Sequence, residues 1–350
     1  MRQTGRVVKD GRALDPIDGT TSSHLLRLVR DSALRLGADP ARVAAIPGTA
    51  DSVLAGELNR IPLDSLLRLW SLIAETGPGA GLAIAAAAPL GTLTTWDYLV
   101  TSGPTLADSL HAAQPYHRLV TAAAEGFDLT HDRDLTVGYR TTAADPEVSA
   151  VVNEYVLAYY LRRAREATGR HIIPTRVTFG HPAPPEHSAL IDAFGTAAIE
   201  FDAPADSITF RAEDAETPLP RADPMLSELL RSHADLVLAS ARAIPGPLEA
   251  FRTALTAAVA AGEPTLAAVA RRLAMSTRTL QRHLADHDTT WRAEYDRARY
   301  EQARALLAED RLSMAAIARR LGFTDDRALR KAMRRWTGGT ASQLRSEMAG

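Results

Sequence analysis

The sequence predicts an α+β domain followed by an all-α domain that contains two helix-turn-helix motifs. Three observations support this fold class. In the first two thirds of the chain, segments with helical spacing precede short segments of strand-like alternation, an order typical of α+β proteins. The last third keeps helical spacing throughout. The segment 243–247, in which two prolines flank a glycine, separates these parts because it cannot continue a helix.

The composition excludes several classes of protein. The 350 residues suffice for about two domains, and 46% of them are hydrophobic, which excludes a wholly disordered chain. The absence of cysteine excludes disulfides, thiolate zinc fingers, iron–sulfur clusters and a cysteine nucleophile. The longest apolar stretch, 82–88, is far shorter than the ~20 residues of a membrane helix, and residues 1–19 lack the apolar segment of a signal peptide. We therefore expect a cytoplasmic protein with no membrane partner.

Charge is distributed unevenly along the chain. Residues 248–350 hold 18 basic and 12 acidic residues, a net charge of +6, whereas residues 1–247 carry a net charge of −8. A basic C-terminal third on an acidic body indicates that one part meets an anionic polymer and the other does not. Chance asymmetry is the alternative, and charge alone does not decide between the two.

Periodicity and punctuation divide the chain into four expected segments: a loose tail over 1–22, an α+β domain over 23–242, a linker over 243–247 and a helical domain over 248–350. Gly37 and Gly169 are expected to end helices, and Thr105 with Asp108 is expected to begin one. The expected helices of the α+β domain are 23–36, 62–75, 105 to about 125, 146–168, 188–194 and 223 to about 243; its expected strands are 127–130, 136–140, 176–181, 198–202 and 207–211.

An internal repeat is the strongest signal in the helical domain. The segment Thr265–Ser276 recurs as Ser313–Thr324, with six of twelve positions identical. Each copy has the pattern of a helix-turn-helix, in which Thr265 or Ser313 caps the first helix and Ser276 or Thr324 caps the second. The residues expected to face inward in the first helices are Val269, Leu273, Ile317 and Leu321, and the small residues Ala270 and Ala318 allow close helix approach.

A helix expected over 291–309 connects the two copies. Its length of roughly 28 Å is close to the ~34 Å turn of B-DNA, so the two second helices could enter successive segments of the major groove. A helical-repeat scaffold without a ligand is the alternative. The basic second helices and the turn lengths favour DNA.

Helix geometry then selects the candidate DNA-contacting side chains. With Leu280 and Leu284 facing inward in the first copy, and Leu329 and Met333 in the second, the outer faces carry Thr277, Arg278, Gln281, Arg282, Asp326, Arg327, Arg330 and Lys331. Arginine pairs with guanine and glutamine with adenine in the major groove. Asp326 either accepts a hydrogen bond from cytosine or caps its helix. Two interpretations stay open for a further set of arginines, which either contact phosphates or form a solvated basic face: Arg319, Arg320, Arg334 and Arg335.

Residues 250–346 resemble the DNA-binding domain of the AraC/XylS family of bacterial transcription regulators. The resemblance rests on Ile317–Thr324, Arg334–Gly338, Ser342–Arg345 and the linking-helix residues Trp291, Tyr295, Arg299, Ala303, Leu306 and Leu307. It implies promoter or operator DNA as a partner, with RNA polymerase and a second copy of the chain as further candidates. The family's base-contacting positions fall on Arg278, Gln281, Arg282, Asp326, Arg327 and Lys331. Leu329 and Met333 stand where the family usually has aromatic residues.

Softer motifs over about 25–240 resemble the arabinose-binding-type sensor domain of such regulators. They are Gly103–Leu110, Phe179–His181, Phe201–Pro204 and Pro218–Asp223. The resemblance implies an unidentified small-molecule effector. Arabinose itself is not implied, because the helical start and sparse strands do not fit the barrel of the sugar-responsive member.

The N-terminal two thirds carry no enzyme motif. No glycine-rich phosphate loop, nucleophile elbow or zinc-binding His-Glu-x-x-His is present, so we expect neither an enzyme nor a cofactor. His181 and His187 flank a proline-rich turn and are either loop residues or a metal pair. Tyr155, Tyr159 and Tyr160 either pack in the core or line a pocket; no ligand-binding residue is assigned.

The sequence thus predicts a one-component transcription regulator in which an α+β sensor controls a DNA-binding domain. Two alternatives stay open. One is an enzyme or small-molecule-binding domain tethered to DNA, and the other is a nucleoid-associated protein that binds DNA without specificity. Neither the effector nor the choice between activation and repression follows from the sequence.

Overall fold

The computed structural model describes residues 8–9, 12–13, 17–123, 126–273, 275–308 and 312–337. The chain forms two compact units, residues 1–244 and 245–350. The first unit mixes helices and strands and the second is helical, which confirms the predicted α+β and all-α classes.

The strands of the first unit form a five-stranded sheet, a three-stranded sheet and a short hairpin. The larger sheet has the order β5-β6-β9-β7-β8; β7 and β8 are parallel, and its other neighbours are antiparallel. The smaller sheet has the order β10-β4-β3. The strands are β1 (Val8–Lys9), β2 (Arg12–Ala13), β3 (Thr20–Ser22), β4 (Asn59–Pro62), β5 (Phe127–His131), β6 (Leu135–Tyr139), β7 (Arg176–Thr178), β8 (Ile199–Glu200), β9 (Asp206–Phe210) and β10 (Arg242–Ala243).

The helices of the first unit surround one continuous apolar core. They are α1 (Ser23–Arg35), α2 (Pro40–Ala44), α3 (Asp51–Leu54), α4 (Leu63–Ala74), α5 (Ala80–Ala86), α6 (Thr95–Leu99), α7 (Leu106–Ala113), α8 (Pro146–Thr168), α9 (Ser188–Phe194), α10 (Ala212–Ala215) and α11 (Pro224–Ser240). The long helix α8 packs against α4, α5 and the larger sheet, so its side chains supply the centre of this core.

Local signals placed several of these elements correctly. Helix α8 has its predicted bounds, because Asp145 caps it, Pro146 opens it and Gly169 ends it at a φ of +66°. Helix α9 and the β5–β6 hairpin also lie where the periodicity placed them. The strands expected over 176–181 and 198–202 are shorter than predicted.

Two predictions for the first unit are wrong. The helix that begins after Thr105 ends at Ala113 and does not continue toward residue 125, because Pro115 lacks an N–H and the chain turns into a 3₁₀-helix over Gln114–Leu119. The expected loose tail 1–22 is also too long. Residues 20–22 form strand β3, which pairs with β4 and is buried.

The second unit contains six helices in the part that is described. They are α12 (Pro247–Ala260), α13 (Leu266–Arg272), α14 (Thr277–Asp286), α15 (Trp291–Ala308), α16 (Met314–Arg320) and α17 (Asp326–Thr337). Of the linker expected over 243–247, Ala243 lies in β10 and Pro247 opens α12, which leaves 244–246 between the elements. The expected motif residues Gly338 and Ser342–Arg345, and Ala274 in the first turn, lie outside the described residues.

No helix within the described ranges is both long and apolar enough to cross a bilayer.

Candidate nucleic-acid interface and apolar cavity

Helices α13 and α14 form the first helix-turn-helix. The hydroxyl of Thr265 accepts a hydrogen bond from the backbone N–H of Ala268, and that of Ser276 accepts one from Thr279, both at 3.1 Å. The expected inward side chains Val269, Leu280 and Leu284 are buried, and they pack on the α12 residues Phe251 and Leu255 in one core. Leu273 is half-buried against the same core. The sequence therefore identified both caps and the buried face of this motif.

The outer face of α14 carries the candidate base-contacting residues of the first motif. Thr277, Arg278, Gln281 and Arg282 are all exposed on it. Arg278 and Arg282 form no ion pair with any other described residue. The two guanidinium groups are thus exposed to solvent, with no neutralising partner among the described residues.

Helices α16 and α17 form the second helix-turn-helix around an equivalent core. Ser313 caps α16 by accepting a hydrogen bond from Ala316 N–H at 3.3 Å. Four predicted inward residues are at most 2% exposed: Ile317, Leu321, Leu329 and Met333. Phe323, Trp336 and Tyr300 pack at the edge of this core with ring centroids about 6 Å apart. These rings supply aromatic packing around the aliphatic pair Leu329 and Met333.

The cap of α17 differs from both sequence predictions. The carboxylate of Asp325 accepts a hydrogen bond from Ala328 N–H at 2.7 Å, so neither Thr324 nor Asp326 caps this helix. The turn of the second motif contains one more residue than the first, which moves the cap from the position matching Ser276 to the next residue. Asp326 instead lies in the first turn of α17 and forms an ion pair with Arg330 at 3.2 Å.

The remaining candidate residues of the second motif lie on its exposed surface. Arg327, Arg330 and Lys331 are exposed on α17, with Asp326 half-buried beside them. The candidate phosphate-contacting residues Arg319, Arg320, Arg334 and Arg335 are exposed as well. Arg335 is not unpaired: its guanidinium donates to both carboxylate oxygens of Asp296, each at 2.9 Å.

Helix α15 joins the two motifs through Glu294, which the sequence analysis did not single out, and through Arg299, which it named only as part of the family resemblance. Near its start, Glu294 receives two hydrogen bonds of 2.7 Å from Arg252 of α12. Arg299, farther along, stacks over the ring of Phe323 with its guanidinium carbon 3.5 Å from the centroid. The 18 residues of α15 span roughly 27 Å, which suits two recognition helices that enter successive major-groove segments.

The pKa of Glu294 reflects the contact between α12 and α15. Hydrogen bonds from Arg252 hold this pKa below its ordinary value, against the opposing effect of burial. The Glu294 side chain is only 5% exposed, so the carboxylate is largely shielded from solvent, whereas the Arg252 side chain is 37% exposed. The signal of this ion pair in the sequence is weak, because a long-range pair leaves no periodic pattern.

The first unit contains an apolar cavity between α1, α4, α6, α8 and the end of β6. Its empty volume is about 660 Å³, including the mouth, and the centres of water-sized molecules can occupy about 60 Å³ of it. The described lining is Leu25, Leu63, Leu66, Leu67, Trp70, Leu93, Trp96, His117, Val120, Thr121, Ala123, Tyr139, Thr141, Thr142, Val152, Tyr155, Val156, Tyr159 and Tyr160. Tyr155, Tyr159 and Tyr160 are therefore both buried in the core and part of the cavity wall. The two interpretations that the sequence left open, core packing and pocket lining, both apply.

A buried charge network lies beneath one wall of the cavity. Asp97, which is fully buried, accepts hydrogen bonds from Tyr159 Oη at 2.5 Å and from Leu93 N–H at 2.9 Å. The Arg163 guanidinium lies 3.1 Å from the same carboxylate and also donates to the carbonyl of Ala88. Both charges are thus compensated within the protein, by each other, by Tyr159 and Leu93 of the cavity wall and by the carbonyl of Ala88.

His117 lies among the aromatic rings of the cavity wall. Its ring stacks on Phe127 and meets the edge of Trp96, with centroids 5.7 and 5.4 Å apart. This burial lowers the pKa of His117 to about 4, so the imidazole is neutral at physiological pH.

His181 and His187 both lie against the ring of Phe201, with centroid separations of 5.6 and 5.3 Å. No group of three or more potential metal ligands occurs in the part of the chain that the structure describes.

The fold and the two motifs define a helix-turn-helix DNA-binding protein with an additional N-terminal α+β domain. Residues 37–219 match the arabinose-binding domain of AraC transcription regulator, N-term, and residues 269–347 match a helix-turn-helix domain. The chain belongs to the AraC family of transcription regulators: it binds DNA through its helix-turn-helix domain and an effector through its N-terminal domain.

Relatives support the same assignment. The chain is 30% identical over 251 residues to the ornithine utilization regulator of Pseudomonas aeruginosa, covering 71% of this chain and 73% of that protein. It is 39% identical over 83 residues to the transcriptional regulator VqsM of Pseudomonas aeruginosa, which covers 24% of this chain and 26% of VqsM. The transcriptional regulator VirS of Mycobacterium tuberculosis is 38% identical over 85 residues, with 24% and 25% covered.

Proposed function

We propose that the chain regulates a promoter by inserting α14 and α17 into successive major-groove segments on one face of the DNA. The observation that carries this proposal is the matched pair of exposed faces, each fixed by its own buried core and both connected through α15. Base readout is assigned to Arg278, Gln281 and Arg282 on α14 and to Arg327 and Lys331 on α17.

The proposal extends to the phosphate contacts. Arg319, Arg320 and Arg334 are exposed at the ends of α16 and α17, where a backbone phosphate can approach. Arg335 reaches a phosphate only by exchanging its contacts with Asp296. Phosphate binding at these positions fixes orientation and contributes equally on every sequence.

Footprinting tests this arrangement. Hydroxyl-radical protection of the chain's own upstream region is expected to show two segments about one helical turn apart on one face. Guanine methylation in the two major-groove segments that α14 and α17 enter is expected to interfere with binding, since N7 lies in that groove. A single protected segment, or protection without a preferred position, would contradict the two-helix arrangement.

The proposed mechanism needs no catalysis and takes place in the cytoplasm, where promoter DNA is found. Effector binding to the first unit shifts the population that is competent to bind paired sites or to contact RNA polymerase. In vitro transcription with purified polymerase, with and without effector, measures that shift and its sign.

We also propose that two copies of the chain dimerise through the apolar surface of α11. Met225, Leu229 and Leu236 are each more than 60% exposed on this helix, at helical spacing. A symmetric pair of copies binds a symmetric pair of DNA sites. Light scattering of wild type and Leu229→Glu tests this; a monomeric wild type removes dimerisation from the proposal.

One relative is named for ornithine utilization, and ornithine is a highly charged molecule. The described residues that line the cavity include no Lys, Arg, Asp or Glu. Ornithine would therefore find no counter-charge on the described lining of this cavity.

A further inference from the structure

The chemistry of the cavity wall limits what can bind there. Apolar and aromatic side chains form most of the wall, including Trp70, Trp96 and the α8 tyrosines. Small-molecule sites typically have this character, with a few polar groups that fix the orientation of the ligand. The limited inner space selects a small ligand.

A charged ligand finds no counter-charge among the described lining residues. The buried charges Asp97 and Arg163 behind the wall are engaged with each other and with Tyr159, Leu93 N–H and the carbonyl of Ala88. Because burying an unpaired charge is very unfavourable, the described lining disfavours carboxylates, ammonium groups and phosphates.

A sugar is also poorly matched to this wall. A monosaccharide carries several hydroxyl groups, and each one that loses water without gaining a hydrogen bond opposes binding. Side-chain carboxylates, amides and guanidinium groups, which pair efficiently with sugar hydroxyls, are absent from the described lining. The polar side-chain groups of the described lining are scattered hydroxyls, the indole N–H groups of Trp70 and Trp96 and one neutral imidazole.

Two of these hydroxyls have unused hydrogen-bonding capacity. Tyr155 and Thr121 are 4% and 5% exposed, and their side-chain oxygens have no hydrogen-bond partner among the described residues. Buried polar atoms are normally hydrogen-bonded, so these two oxygens on lining residues are candidate partners for a ligand group. Burial raises the pKa of the Tyr155 phenol, which keeps it protonated and able to donate.

We infer that this cavity is the effector site and that it takes a small, uncharged, mainly apolar molecule with a hydrogen-bonding group, rather than a sugar or a charged metabolite. The inference rests on the proposed function of the first unit as the effector-binding domain. Ligand contacts would connect α1, α4 and α8, because all three contribute to the wall. Trp70 and Trp96 would report binding through their fluorescence.

Calorimetry of the full chain tests the inference with three neutral probes, p-cresol, indole and 1-heptanol, at millimolar concentration. The negative-control ligands are 4-hydroxybenzoate, which adds a carboxylate to a phenol, and arabinose. At least one neutral probe is expected to bind and to change the tryptophan fluorescence. The two negative-control ligands are expected not to bind.

Two variants locate the binding. Val156→Phe places a larger side chain at the half-buried cavity wall and is expected to abolish binding of the neutral probe. Tyr155→Phe removes only the hydroxyl and is expected to weaken binding of p-cresol roughly fivefold. Leu82→Phe, at a half-buried position of α5 outside the lining, is the control and is expected to bind as wild type. Circular dichroism verifies that each variant is folded.

The inference would be overturned if no neutral probe binds, or if Val156→Phe binds the probe as well as wild type does. It would also be overturned if arabinose or 4-hydroxybenzoate binds to wild type and Val156→Phe abolishes that binding. Binding to promoter DNA is measured separately on the same preparations. Loss of DNA binding with intact probe binding contradicts the proposed function alone, so the two failures are distinguishable.

Discussion

The two helix-turn-helix motifs share a scaffold but differ in how their charged residues are used. Position by position along the second helices, Thr277 corresponds to Asp326 and Gln281 to Arg330. On α14 the arginines of the outer face form no ion pair with described residues, whereas on α17 Asp326 neutralises Arg330 and Asp296 holds Arg335. The outer-face arginines of α14 therefore have no acidic partner among the described residues, whereas two arginines of α17 are engaged in ion pairs. We expect the first motif to supply the larger share of sequence readout.

The largest expected difference concerns the cores. Leu321 is 2% exposed, while Leu273, its counterpart in the repeat, is only half-buried. Leu321→Ala is expected to cost ~2–5 kcal/mol in local stability because it leaves a cavity, and Leu273→Ala should cost clearly less. Hydrogen exchange of the full chain, resolved over α13 and α16, measures both. Equal effects would show that the two cores do not differ in this way.

The ion pairs that hold α15 provide the second comparison. Glu294 is buried against Arg252, whereas Asp296 and Arg335 are more exposed. Glu294→Gln is expected to cost ~1–3 kcal/mol and Asp296→Asn under ~1 kcal/mol. Hydrogen exchange of α12 and α15 reports the first and that of α17 the second.

The pH dependence of the Glu294 contact has a defined sign. Arg252 lowers the pKa of Glu294, so the contact stabilises the fold above the ordinary glutamate pKa of about 4.3 and is lost as pH falls through the lowered value. Wild type should therefore lose its advantage over Glu294→Gln as pH falls below about 4. An advantage that persists unchanged in acid would contradict the assigned ion pair.

The unequal-readout hypothesis is tested directly by Arg282→Ala and Lys331→Ala. Removing Arg282 is expected to weaken cognate binding by ~1–3 kcal/mol and to relax preference at one base pair, because arginine contacts guanine through two hydrogen bonds. Lys331→Ala should lose less. Fluorescence anisotropy measures both, with Arg221→Ala in the first unit as the control. An equal loss on cognate and random DNA would identify Arg282 as a phosphate contact.

The smallest expected effect is that of Asp326→Asn. This change releases Arg330 from an exposed ion pair and removes a negative charge from the DNA-facing surface. Binding should strengthen by under ~1 kcal/mol on cognate and random duplexes alike, with a steeper salt dependence. Weakening on the cognate site alone would instead indicate that Asp326 accepts a hydrogen bond from cytosine.

The cap of α17 illustrates where sequence reasoning succeeds and where it stops. The repeat located both motifs and their buried residues, since helical spacing is a local property. The first helices of the motifs are 48 residues apart, from Thr265 to Ser313, but the caps of the second helices are 49 apart, from Ser276 to Asp325. An aligned repeat cannot reveal the extra turn residue, because Thr324 is itself a good cap.

The cavity illustrates a different limit. Its wall combines residues as distant as Leu25, Thr121 and Tyr160, which no local pattern connects. Helix α8 was predicted to the residue from its caps, yet its tyrosines could be assigned to the cavity only after α1 and α4 were in place. The strands β4 and β10, at four and two residues, are likewise too short to show alternation.

Binding of the full chain to its own upstream region and to a random duplex, followed by fluorescence anisotropy across a salt series, tests the central claim most directly. A sequence-reading regulator is expected to prefer the upstream region by ~10³ or more, with both affinities falling steeply as salt rises. Equal, salt-sensitive affinity for the two duplexes would contradict base readout by α14 and α17 and favour a non-specific DNA-binding protein.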